Sequence, residues 1–72
     1  MKDEHDKEVY NFVAQSIMIN GFSPLPSEIE TFIPSLKYGA ARRIVTRLAL
    51  SGFLEFGYPG DFRTIRTTGK QP

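Results

Sequence analysis

Proline and glycine punctuate this chain so often that only short helices and one hairpin fit between the breaks. Asn20-Gly21, Pro24, Pro26, Pro34, Gly52 and Pro59-Gly60 each stop or redirect the backbone, because proline fixes φ and glycine supplies the left-handed turn that closes helices. Ahead of the first break, Val9, Phe12, Val13, Ser16 and Ile17 recur at helical spacing. Tyr10 and Ile19 flank that stripe and Met18 lies opposite it, so Met18 is expected in solvent. Residues 1–8 are polar and read as a fraying tail, with their acidic members near the positive end of the first helix. After Phe22-Ser23-Pro24-Leu25, which the prolines hold extended, Pro26 suits the first position of a second helix over 26–33. Ile29, Phe32 and Ile33 are expected to face inward there, with Glu28 and Glu30 outward.

Pro34 ends that helix, and Ser35 is placed to cap a third over 37–51 that Gly52 closes. At 100° per residue, Ala41, Ile44, Val45 and Leu48 form one stripe, while Arg42, Arg43, Thr46 and Arg47 share the opposite face. Two helices joined by so tight a corner make a helix-turn-helix. Phe53-Leu54-Glu55-Phe56 and Phe62-Arg63-Thr64-Ile65-Arg66-Thr67 are rich in aromatic and β-branched residues and flank Gly57-Tyr58-Pro59-Gly60-Asp61. They read as a hairpin around a type II turn, with Leu54 and Ile65 closing the core. The expected class is α+β: three helices followed by a two-stranded wing, one domain over 9–68 between tails at 1–8 and 69–72.

That order of elements resembles a winged helix-turn-helix. Val9-Tyr10-Asn11-Phe12-Val13, Gly21-Phe22-Ser23-Pro24, Ser27-Glu28-Ile29, and Val45, Leu48, Gly52 and Leu54 resemble the DNA-binding domain of LexA-type repressors, over residues 9 to 56. Ile65-Arg66-Thr67-Thr68-Gly69-Lys70 is similar to the strand ending of MarR-like winged helices. The resemblance implies a helix in the major groove and a wing on the DNA backbone. It does not extend to the self-cleaving protease domain that follows in LexA-type proteins, nor to that route of dimerisation. Lys37-Tyr38-Gly39-Ala40 also replaces the small polar residues with which that family opens its third helix, so any sequence read here is this chain's own.

Charge supports the same face. The net charge is only +1, yet residues 1–36 set two lysines against six carboxylates, for −4, and residues 37–72 set seven cations against two carboxylates, for +5. A basic half with an acidic half behind it orients a protein on a polyanion. The expected DNA contacts are Arg42, Arg43, Thr46 and Arg47 on the helix, Tyr38 at the groove wall, Lys37 on the backbone, and Arg63 and Arg66 from the wing on phosphate or minor groove. The leading reading is a small sequence-specific regulator of transcription, such as a repressor of phage or plasmid type. The alternatives are a winged module that binds protein, or a second copy of itself, through Met18 or Leu50, and an accessory factor of replication or recombination using the same DNA contacts.

The remaining composition narrows the field. With no cysteine there is neither disulfide nor thiolate metal site, which suits a reducing cytoplasmic setting. No apolar run exceeds three residues, as at 17–19, far from the roughly 20 that span a bilayer. The single histidine, His5, lies in the expected tail, no serine sits in a nucleophile motif, and the glycines at 57 and 60 belong to a turn rather than a phosphate loop. Neither an enzyme nor a cofactor is expected. Seventy-two residues bury only roughly 60 % of the surface their unfolded chain exposes, so stability rests on a small core.

Overall fold

The computed structural model describes residues 5–72. Three helices, α1 (Asp6–Asn20), α2 (Pro26–Phe32) and α3 (Ala40–Leu50), are followed by an antiparallel pair, β1 (Leu54–Phe56) and β2 (Ile65–Thr67). This is the α+β layout of a winged helix. The strands pair Leu54 with Thr67, Glu55 with Arg66 and Phe56 with Ile65, which turns Leu54 and Ile65 inward and leaves the Glu55–Arg66 pair facing out.

α3 lies at the centre, packing on α1, α2 and β1. Its Ala41, Ile44, Val45 and Leu48 are buried as the stripe predicted, against Val9 and Val13 of α1, Ile29 of α2 with Ile33 just after it, and Leu54 and Ile65 of the hairpin. Each large aliphatic side chain removed from water contributes about 1.5–3 kcal/mol, so these few residues hold most of the fold's stabilisation. Leu50 and Met18 point away, 85 % and 83 % exposed. α3 ends where two hydrogen bonds close it together, Phe53 N–H to Leu48 O at 3.0 Å and Gly52 N–H to Ala49 O at 3.1 Å, the pairing of a Schellman motif.

Three helix boundaries and one side-chain contact differ from the sequence reading. α1 begins at Asp6, not after Glu8, because Asp6 is buried and paired with Arg47, which ties the first turn down; residues 1–4 of the expected tail lie outside the described residues. His5, expected to be solvated, brings Nε2 to 3.1 Å from Ser35 Oγ. α2 stops at Phe32, and Phe32 faces outward, 65 % exposed, with its ring stacked on Phe12 at 4.2 Å. α3 starts at Ala40, leaving Lys37 and Tyr38 in the turn before it, because Gly39 adopts φ +85°, a left-handed conformation outside any right-handed helix.

The cap of α3 also comes from elsewhere. Ser35 does not reach its first turn; the Glu30 carboxylate of α2 does, accepting from Gly39 N–H at 2.9 Å and Ala41 N–H at 3.1 Å. Those amides have no partner within the helix, and a negative charge at this end is favoured by the peptide dipoles. The capping link therefore fixes the angle of the helix-turn-helix corner. The hairpin differs too. Residues 62–64 form a single 3₁₀ turn, so the return strand starts at Ile65 rather than Phe62. Its tip is as expected: Asp61 N–H bonds Tyr58 O at 3.0 Å across Pro59-Gly60, with Gly60 at φ +79°, as a type II turn requires.

Candidate nucleic-acid interface

The outward arc of α3 carries Arg42, Arg43 and Thr46, all exposed. The three residues share one side because their spacing sets them opposite the buried stripe. The Arg43 guanidinium makes no ion pair or hydrogen bond among the described residues, though its backbone N–H donates to Gly39 O at 3.4 Å. Arg42 lies in the first turn with its guanidinium 5.0 Å from the centre of the Phe62 ring, a cation–π contact that orients the group without neutralising it. Tyr38, in the turn that leads into the helix, is 99 % exposed, and Lys37 beside it is exposed as well. Tyr38 and Arg42 thus meet in one groove at the start of α3, Arg43 and Thr46 share the exposed side of the helix, and Lys37 is exposed in the turn before it.

Arg47 and Arg63 behave differently from that set. Arg47 is half-buried and reaches back to α1, where Asp6 accepts from its Nη2 and, at 3.4 Å, from its Nε. Arg63 sits in the 3₁₀ turn and makes a two-point pair with Glu28 of α2, Nη1 to Oε1 at 3.0 Å and Nη2 to Oε2 at 2.9 Å. Nη1 also donates to Ser23 O at 3.3 Å, and the guanidinium lies 5.0 Å from the Phe22 ring centre. Both arginines therefore tie elements together. Arg66 is 65 % exposed at its side chain with Glu55 Oε2 at 3.8 Å across the strands, a loose surface pair of small energetic weight.

Glu28 shows how firmly the hairpin is held to α2. Its carboxyl accepts from Leu25 N–H at 2.8 Å as well as from Arg63, and these bonds, the backbone one first, hold its pKa below the ordinary 4.5. Neither Glu28 nor Asp6 could be matched to its arginine from the sequence, because the partners stand 35 and 41 residues apart.

A residue that sequence reasoning passed over joins the site. Tyr58, at the hairpin tip, is 68 % exposed and lines a groove of about 670 Å³ with Tyr38, Arg42, Glu30, Asp61 and Phe62. Two tyrosines from separate turns thus border the start of α3. The available signal was the aromatic beside a proline–glycine turn, which a hairpin alone does not call for. No protein-family model matches the chain, and a search of curated proteins returns no match.

Proposed function

We propose that this protein binds double-stranded DNA, with α3 in the major groove and the hairpin against the backbone, as a small regulator of transcription. One observation carries the reading: the outward side of α3 presents Arg42 and Arg43 with no carboxylate partner among the described residues, beside the exposed Thr46 and Tyr38. Arginines kept free of ion pairs on one helix face are what base edges and phosphates require. In this reading Arg43 contacts a base edge, Arg42 and Lys37 contact phosphate, and Arg66 adds a contact from β2. Arg47 and Arg63 hold the frame.

Titration of mixed-sequence duplex at several salt concentrations tests it. Three to four neutralised phosphates give a slope of log affinity against log salt of about −3. A salt-independent response, or no binding at low salt, discards the reading. A second reading, a surface for another protein or a second copy, is favoured by Met18 and Leu50, which stand 83 % and 85 % exposed. Sedimentation of Leu50→Glu and Met18→Glu beside the unaltered chain separates self-association from DNA binding.

A further inference from the structure

The groove between the start of α3 and the hairpin tip has a composition that duplex phosphate does not explain. Tyr38 and Tyr58 border it, 99 % and 68 % exposed, and the buried Phe62 ring with Arg42 over it belongs to the same lining. Two carboxylates also line it. Glu30 Oε2 is committed to Gly39 and Ala41 N–H, and Asp61 Oδ1 accepts from Arg63 N–H at 3.1 Å; the second oxygen of each has no partner among the described residues. Negative charge of this kind repels a phosphate inside the groove. It suits instead a neutral planar ring with amino groups to donate. At about 670 Å³ the groove falls within the 300–1,000 Å³ range of small-ligand sites.

We infer that this groove holds an unpaired nucleobase: a base from an overhang or a single-stranded stretch stacks on Tyr58 and Tyr38, gives its amino hydrogens to Glu30 or Asp61, and leaves its phosphate at the rim near Arg42. Exposed aromatic rings beside a cationic helix are the equipment of single-strand binding, where every base offers a π-face. The walls are preformed. The Pro59-Gly60 turn is closed by its own hydrogen bond, and Gly57, at the foot of the tip, leaves no room for a side chain, since an added Cβ would lie 2.8 Å from Thr64 O. Continuity with the proposed duplex face, through Tyr38 and Arg42, argues for nucleic acid over an extended proline-rich peptide. The inference rests on the DNA reading above, and its substrate is a duplex that ends in, or adjoins, unpaired bases.

Fluorescence anisotropy of three DNAs tests it: a blunt duplex, the same duplex with two unpaired deoxyadenosines, and the same overhang made abasic, each with the unaltered chain, Tyr58→Ala and Tyr58→Phe. The overhang is expected to tighten binding about tenfold. The abasic overhang and Tyr58→Ala each return affinity to the blunt level, and Tyr58→Phe keeps the gain, because stacking needs the ring and not the hydroxyl. Equal affinity for blunt and tailed DNA overturns the groove while leaving the duplex reading standing. So does an abasic overhang that binds as well as the normal one, which assigns the gain to phosphate. Tyr58→Ala that weakens all three DNAs by one factor makes Tyr58 a duplex contact and overturns it also. Binding of a deca-proline peptide that is lost in Tyr58→Ala, with no overhang gain, assigns the groove to a protein partner. A chain that binds neither blunt nor tailed DNA overturns both readings.

Discussion

α3 and the hairpin that follows it are both basic, yet their arginines do different work. On α3, Arg42 and Arg43 face outward with no carboxylate partner among the described residues. On the hairpin, Arg63 is gripped at two points by Glu28 and Arg66 faces Glu55. Arg47 belongs to α3 by sequence but to the second group by behaviour, held by Asp6. The difference teaches that formal charge along a segment does not measure what a polyanion can reach. The +5 of residues 37–72 shrinks once carboxylates from α1 and α2 are brought against it, and what remains concentrates around the start of α3.

The contrast depends on the rotational phase of α3, and the largest expected effect tests that. Leu48→Ala removes a side chain at the centre of the core, 1 % exposed. It is expected to cost about 2–5 kcal/mol, enough to leave a chain this small largely unfolded. Leu50→Ala, on the outward side, is expected to stay within about 0.5 kcal/mol. Urea unfolding of both variants checks this; equal losses in a monomer would show the arc of Arg42 and Arg43 to be misassigned.

Next in size is the frame itself. Asp6→Ala removes a buried carboxylate that ties α1 to the half-buried Arg47 and is expected to cost about 1–3 kcal/mol, measured by urea unfolding. An unchanged midpoint would show that the Arg47–Asp6 pair does not hold the frame. Arg43→Ala and Arg63→Ala then sharpen the comparison between helix and hairpin. Loss of Arg43 should weaken the best site by about 1–3 kcal/mol and relax preference at one or two base pairs, with no change in melting temperature. Loss of Arg63 should do the reverse, lowering the melting temperature while the folded protein keeps its DNA affinity. Selected-site sequencing and thermal melts read the two variants; identical losses of specificity would erase the distinction drawn here.

The smallest effect is one of pH. Glu28's folded pKa lies below its ordinary value of 4.5, through Leu25 N–H and then Arg63. The stabilisation it contributes is therefore complete above pH 4.5 and fades as pH falls through the lower, folded value. Because Glu28 is exposed, water screens the pair and the effect is small. Glu28→Gln should melt slightly lower than the unaltered chain near roughly pH 7, and the gap should close towards roughly pH 3. A gap that stays constant with pH would mean that the charge of Glu28 contributes nothing to holding the hairpin to α2.

Local chemistry was enough to determine the element order and the central stripe of the core. The stripes Val9–Val13 and Ala41–Leu48, the proline and glycine breaks, and the Pro59-Gly60 turn all act through residues within a few positions of one another, where backbone geometry leaves few choices. The outward phase of Arg42, Arg43, Met18 and Leu50 followed from the same periodicity. The group that caps α3, by contrast, was decided by Glu30 reaching across to Gly39 and Ala41, and Ser35, the local candidate, met His5 instead. Phe32 turned outward onto Phe12, and Arg47 and Arg63 became ties. Each of these outcomes depends on a partner distant in sequence, and only the packing of three helices around α3 decides which charge meets which. The groove beneath Tyr58 is tertiary for the same reason, since its two aromatic walls come from turns 20 residues apart.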